Sequence, residues 1–146
     1  MDTIQIVKFD SVQEDNLPDE DAGMGFLKRI IYPHSTPANG FAFGYGEVPP
    51  GKSLHRWHNH SGDTAKGLRV IYAEGFEELY FILKGTGVVQ WKDDDGQIKE
   101  TEVQPKDTIL FKPGVPDHQV LNNGDEDMLI AYVACPPITI IKDDNL

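Results

Sequence analysis

Glu77-Glu78-Leu79-Tyr80-Phe81-Ile82-Leu83-Lys84-Gly85-Thr86-Gly87 sets two carboxylates at the entrance to an apolar run and closes that run with a glycine-rich turn. A short run of aromatic and branched residues bounded by turn formers reads as a β-strand. Successive strand side chains point to opposite faces, so Glu78, Tyr80 and Ile82 share one face while Leu79, Phe81 and Leu83 take the other. A strand that is apolar on both faces is covered on both. In a small barrel one face fills the interior, and the outer face needs a second sheet, an N-terminal segment or another subunit. A homodimer is therefore expected.

The rest of the chain repeats this grammar. Runs of β-branched and aromatic residues alternate with Gly, Pro, Asn and Asp clusters, and helical periodicity is scarce, which predicts an all-β sandwich or barrel. Strands are predicted over residues 3–9, 25–32, 41–48, 54–60, 68–72, 78–83, 87–92, 97–103, 108–111, 117–121 and 128–134. Asp95-Gly96 and Asn123-Gly124 mark hairpin turns, because Gly, Asn and Asp accept positive φ. Segments 10–21 and 142–146 read as loop or tail and 61–67 as a mobile loop. The 146 residues, 39% hydrophobic and without internal repeat, suit one domain over 1–146. Its barrel core spans about 41–134, with the N-terminal strands of 3–32 packed on it.

Charge narrows the partners. With 24 acidic against 13 basic side chains the formal charge is -11, so a phosphate backbone or an anionic membrane is repelled and no nucleic acid is expected. The acids gather in turn-like places, at 14–21, 93–95, 125–127 and 143–144, where they solvate a surface. Cys135 is the single cysteine, so no intrachain disulfide forms; between Ala134 and Pro136 it is expected to end a buried strand. No stretch has the length to span a bilayer and the N-terminus lacks a leader pattern, which predicts a cytoplasmic protein.

His55-Arg56-Trp57-His58-Asn59-His60 holds three of the five histidines in six residues. On a strand His58 and His60 aim at one point while His55 faces away. Two imidazoles on one face make half of a metal site, and a further histidine, His118, follows the Pro113-Gly114 turn. Arg56 shares the face of His58 and His60 and is a candidate for binding a substrate carboxylate. Tyr80 shares the face of Glu78, and Phe43, Tyr45, Trp91 and Phe111 are candidates to line the interior. His34, in a Pro-bounded loop, is expected in solvent.

These two segments resemble the cupin superfamily, whose motifs run Gly-x5-His-x-His-x3,4-Glu-x6-Gly and Gly-x5-Pro-x-Gly-x2-His-x3-Asn. Gly51, His58, His60, Glu78 and Gly85 match the first; Pro113, Gly114, His118 and Asn122 match much of the second, and the resemblance covers residues 46 to 134. It implies a double-stranded β-helix, the jelly-roll barrel, with one divalent metal ion (iron, zinc, manganese or nickel) held by His58, His60, Glu78 and His118. The pattern is departed from at four places. Six residues separate Gly51 from His58, three separate Gly114 from His118, and Lys106 stands where the family usually has glycine. Seventeen residues, Ser61 to Glu77, lie between His60 and Glu78, where three or four are usual. That insertion is expected to add a strand or a lid, and it leaves Glu77 in competition with Glu78 as ligand, the spacing to Gly85 favouring Glu78.

Three imidazoles and one carboxylate leave a divalent centre near +1 with open positions, which suits a substrate with two neighbouring oxygens such as an enolised diketone, hydroxy acid or catechol-like ring. The expected function is a metal-dependent enzyme on a small oxygenated molecule, of dioxygenase type, with Glu78, Arg56 and Tyr80 as catalytic candidates. The alternatives are a non-redox cyclase, isomerase or lyase, since small cupins that cyclise polyketides resemble this chain, and a ligand-binding module without catalysis.

Overall fold

The computed structural model describes residues 3–14, 25–65 and 68–142; the acidic run from Asp15 to Asp21 and the tail beyond Lys142 fall outside them. The described residues form eleven strands: β1 Phe26–Ile31, β2 Ala42–Val48, β3 Asp63–Ala65, β4 Leu68–Ile71, β5 Glu77–Lys84, β6 Gly87–Lys92, β7 Ile98–Val103, β8 Thr108–Phe111, β9 His118–Leu121, β10 Met128–Cys135 and β11 Thr139–Lys142. Pairing is antiparallel throughout, in a five-stranded sheet ordered β1-β2-β10-β5-β8, a three-stranded sheet β7-β6-β9, and a small sheet β11-β4-β3. One hydrophobic core joins the two larger sheets: Leu27, Ala42, Val48, Tyr80, Ile82, Ile130 and Tyr132 from the first meet Val89, Val103 and Val120 from the second. This is the all-β jelly-roll architecture read from the sequence.

Alternation is strict where the core decides it. In β10 Met128, Ile130, Tyr132 and Ala134 are buried between half-buried neighbours, and in β2 the buried set is Ala42, Gly44, Gly46 and Val48. A side chain at Gly44 would collide with the Tyr132 ring, so the small residue is what lets that phenol lie across the barrel. Phe43 and Tyr45 consequently point outward, not into the interior, and Tyr45 packs edge-on against Phe9 at 5.0 Å. Phe111 does face inward and is buried; Trp91 is partly buried against the core.

Several boundaries differ from expectation. Residues 3–9 form no strand, and the segment instead ends in a single 3-10 turn, Phe9–Ser11. Its carbonyl and ring receive Lys28 from β1: Nζ lies 3.0 Å from the Phe9 oxygen and 3.9 Å from the ring centroid, which is how a lysine can be buried on that strand. The segment expected as a mobile loop contains β3, and the insertion pairs through β4 with β11, a strand at the C-terminal end that local sequence did not announce. Cys135 ends β10 but is exposed, because alternation along that strand turns it outward.

On β5 the two apolar faces part company. Glu78, Tyr80 and Ile82 are buried, whereas Phe81 and Leu83 are 37% and 47% exposed and Leu110 on neighbouring β8 is 52% exposed. The outer face is thus covered by neither the second sheet nor the described N-terminal segment.

Lys106 has φ 77, the left-handed conformation that glycine adopts most readily, and its N–H donates to the Ile82 carbonyl at 2.7 Å. The backbone at this position takes the glycine-type turn although the residue is lysine.

Candidate metal centre

His58 and His118 are sixty positions apart, and the backbone brings them face to face. They form an isolated antiparallel bridge, His118 N–H donating to the His58 carbonyl at 2.9 Å and His58 N–H to the His118 carbonyl at 3.2 Å. A second bridge pairs Ser53 with Leu121. Between the two bridges the chain takes five steps along residues 53–58 against three along β9. Two extra residues are accommodated as a bulge, so 54–60 is not the regular strand expected from the sequence.

The bulge corrects one reading. On a regular strand His55 faces away from His58; here its ring lies 5.0 Å from the His58 ring and 6.3 Å from Tyr80. Burial, followed by the neighbouring His58 and Arg29, holds its pKa well below the usual value. Arg56 loses the strand-phase argument by the same irregularity. It enters the site through its carbonyl oxygen, which accepts from His58 Nδ1 at 2.9 Å.

His58, His60 and His118 converge so that one ligand nitrogen of each lies within 4.8 Å of the others. The ring centroids are 4.6 Å apart for His58 and His118, 4.9 Å for His60 and His118, and 5.4 Å for His58 and His60. His118 Nδ1 donates to the Pro116 carbonyl at 2.8 Å and its ring stacks on Phe111 at 4.4 Å. Because a carbonyl only accepts, Nδ1 carries the proton in both His58 and His118, leaving the Nε2 lone pair towards the cluster. Asn59 donates to Asp117 Oδ1 at 2.9 Å and ties the two histidine segments together.

Glu78 faces inward and is buried, while Glu77 is exposed. Glu78 Oε1 lies 3.6 Å from His60 Nε2, but the group whose ligand atoms all lie within 4.8 Å of one another is His58, His60 and His118 without it, so the fourth ligand expected from the sequence stands beside the triad on the His60 side. Burial pushes its carboxyl up to about 8, against the pull of the Tyr80 hydroxyl and the Arg29 guanidinium, which favour the charged form. Burial also lowers His60 to about 3 and His118 to about 4, helped by the adjoining histidines. Tyr80 is buried, and burial raises its phenol well above the usual value, with the Glu78 charge adding to the effect.

A metal is tested by what the residues do without one. Among the described residues, both His60 nitrogens and His118 Nε2 are buried with no hydrogen-bond partner. Buried polar atoms without partners are costly, and three imidazoles that each bring one ligand nitrogen within 4.8 Å of the others are a donor set for a borderline divalent ion. The residues fit such an ion, and the triad could hold one.

Sequence reasoning missed Arg29. In β1 it lies opposite Gly44 and on the face of buried Leu27. Its guanidinium is 5.6 Å from the Tyr32 ring, and its charge acts on Tyr32, His55, Glu78 and Tyr132. The Tyr32 hydroxyl donates to that of Tyr132 at 3.1 Å. The insertion's Tyr72 and Phe76, which pack on His60, were also missed. His34 is exposed as expected. Asn122 is fully buried, but its amide donates to the Val48 and Glu126 carbonyls at 2.7 Å each, which makes it a brace for the loops behind β9.

The buried ionisable groups fix the pH response of chelator-stripped protein. Glu78 binds its proton more tightly in the fold (about 8) than unfolded (4.5), so its stabilising contribution is present at low pH and is lost as pH rises through 8. His60 and His118 are neutral in the fold down to about 3 and 4, and His55 is held well below its usual value as well, whereas unfolded histidine charges at 6.5, so their contribution is present above 6.5 and is lost as pH falls. Metal-free protein is therefore expected to be most stable near pH 6.5. On the alkaline side one proton is at stake, about 1.4 kcal/mol per pH unit, readable in urea midpoints at pH 5, 6.5 and 8. A midpoint that climbs steadily to pH 8 would contradict the burial of a protonated Glu78.

No protein-family model matches the sequence, and no curated protein matches it. Solved structures do. A polyketide cyclase from Streptomyces resistomycificus superposes with a TM-score of 0.64 at 19% identity, over 93% of this chain and 84% of that one. A sugar phosphate isomerase from a cupin superfamily, from Silicibacter pomeroyi, gives 0.60 at 18% identity over 96% and 82%. A predicted oxalate decarboxylase from Thermotoga maritima gives 0.60 at 20% identity over 90% and 98%. Among the described residues no helix is long and apolar enough to cross a membrane. Strand order, the inward histidines and these superpositions agree on one architecture: the chain has the cupin fold, a double-stranded β-helix.

Proposed function

We propose that this protein is a metal-dependent enzyme that enolises a small oxygenated, anionic substrate, in an isomerisation, cyclisation or related non-redox reaction. The observation that carries this reading is the convergence of His58, His60 and His118 in the barrel interior, beside a buried phenol and a buried carboxyl. His58, His60 and His118 would hold the metal with Glu78 as fourth donor, and the ion would act as a Lewis acid on a substrate oxygen. Tyr80, protonated at any working pH, is suited to donate a hydrogen bond to the enolate oxygen as charge develops there. Arg29 supplies positive charge on the interior face and suits the substrate's anionic end; this is the role that strand phase gave to Arg56. Phe76, Phe111 and Tyr132 belong to the buried core and would keep water from the reacting centre.

Among the proteins with similar folds, two carry the names polyketide cyclase and sugar phosphate isomerase, and the non-redox reading, proposed in place of the dioxygenase expected from the sequence, is consistent with those names. Metal analysis of protein purified without chelator or added metal, with oxygen uptake measured over diketones, hydroxy acids and phenols, tests it. Solvent-deuterium exchange into a bound diketone without oxygen uptake is the expected result. Substrate-dependent oxygen uptake would restore the dioxygenase, and a protein with no metal and no exchange would leave a binding module.

The homodimer belongs to the same proposal. Phe81, Leu83 and Leu110 form an apolar outer face on β5 and β8 that a second copy would cover. Light scattering is expected to give about twice the 16.3 kDa chain mass, and a Phe81→Glu, Leu110→Glu double variant is expected to run as a monomer with an unchanged far-UV spectrum.

A further inference from the structure

His60 is held differently from the other two histidines. Histidines that ligate a metal are usually oriented by a hydrogen bond from the ring nitrogen that does not face the ion. His58 has Arg56 for this purpose and His118 has Pro116. Neither nitrogen of His60 has a hydrogen-bond partner among the described residues. Its ring is enclosed by aromatic faces and edges instead: Tyr72 stacks on it with centroids 5.0 Å apart and planes 28° from parallel, Phe76 meets it edge-on at 5.0 Å and 87°, and Phe111 at 5.9 Å and 76°.

Tyr72 and Phe76 both belong to the seventeen residues between His60 and Glu78 and brace each other at 4.8 Å. The strand leading into Tyr72 is not left loose. β4 is paired on one side with β3 and on the other with β11, the Ile71 to Thr139 pair standing one residue before Tyr72. Phe76 is 3% exposed and part of the main core. A segment anchored on either side of Tyr72, by β4 before it and Phe76 after it, thus delivers one flat ring against the one triad histidine that lacks a polar tether among the described residues.

We infer that the insertion is an aromatic clamp on the metal centre and that Tyr72 is a positioning residue, fixing the His60 ring for ligation by stacking. The inference rests on the metal reading of the triad. A stacked ring restricts rotation of the imidazole about its long axis, which is what a hydrogen bond does for His58 and His118. It needs a ring face and no hydroxyl.

The test is metal affinity, measured by competition of cobalt(II) or zinc(II) against a chromophoric chelator, together with the cobalt(II) absorption spectrum. Loss of such outer support commonly weakens a site by roughly 10- to 100-fold. Tyr72→Ala and Tyr72→Leu are expected to bind at least about 10-fold more weakly than the native protein, with a changed cobalt spectrum. Tyr72→Phe is expected to bind as the native protein does. Tyr72→Leu fills much of the same volume, so a loss in both non-aromatic variants with rescue in Tyr72→Phe separates stacking from packing. Native affinity in Tyr72→Leu, or loss in Tyr72→Phe, would overturn the clamp. His60→Ala run alongside separates the two layers: if it binds weakly while Tyr72→Leu binds normally, the clamp fails and the metal site stands; if it too binds normally, the metal reading fails first.

Discussion

His118→Ala is expected to abolish stable metal binding, weakening affinity by more than about 100-fold, since even residues that only support a ligand commonly cost 10- to 100-fold. Three observations make His118 the most exposed point of the site to mutation. Its Nε2 is buried and without a hydrogen-bond partner among the described residues, so the nitrogen has no evident use except a ligand. Its Nδ1 is tethered to Pro116 and its ring lies flat on Phe111, so the donor is already oriented before any ion arrives. Its backbone forms both hydrogen bonds of the bridge to His58, and those survive removal of the side chain. The truncation also opens space in a buried region, a loss of roughly 2 to 3 kcal/mol for a side chain of this size, so the thermal midpoint is to be recorded beside the metal content. His55→Ala is the control. It removes a ring equally near His58 but outside the triad, and it is expected to keep its metal. A His118→Ala protein that retains a full equivalent of metal would remove the site as assigned.

The contrast between His118 and His55 shows where the sequence was legible. His58, His60 and His118 were found because a two-residue spacing and a Pro-Gly turn at a fixed distance survive any small distortion of the strand that carries them. His55 was placed on the wrong side because alternation assumes one step per residue, and a bulge that fits five steps against three breaks that assumption locally. Nothing between Ser53 and His58 announces the bulge except the one extra residue after Gly51. Arg29 was missed for a different reason. In Phe26-Leu27-Lys28-Arg29-Ile30-Ile31 the two charged residues sit side by side and the apolar residues flank them, so the pattern does not say which face is the interior. Only pairing with β2, whose inward positions are Ala42, Gly44, Gly46 and Val48, settles it.

The small sheet was harder still. β4 was visible as Leu68-Arg69-Val70-Ile71-Tyr72, but its partner is Thr139–Lys142, about seventy residues on, and no local signal encodes a pairing over that distance. The consequence reached the site itself, since Tyr72 and Phe76 come with that sheet. An insertion whose length looked like a departure from a motif thus supplies two of the rings around His60.

Gly85→Ala is expected to destabilise the protein by roughly 3 to 5 kcal/mol, an unusually large effect for a single methyl group. Two separate costs meet at this position. The residue has φ +77, which a side chain tolerates at a cost of about 1 kcal/mol or more. A Cβ there would also stand 2.6 Å from the Asp127 carbonyl oxygen and 2.9 Å from Met128 Cα. Both are backbone atoms at the start of β10, so no side-chain rotation relieves the contact; β10 must move from the β5 end. That strand also pairs with β2 and carries Tyr132, so the displacement is opposed by the central pairing of the five-stranded sheet. Gly96 supplies the comparison within the same molecule. Its φ is +76, and nothing lies within 4 Å of where its Cβ would be. Gly96→Ala should therefore carry the conformational cost alone, about 1 kcal/mol, and the difference between the two urea midpoints isolates the backbone contact at Gly85. Equal losses in the two variants would mean that β5 and β10 do not approach each other as closely as described. If the difference appears, the glycine at the end of the apolar strand is required by the approach of β10, a reason independent of the metal, and the spacing from Glu78 to Gly85 measures how far the strand runs from the site to that crossing.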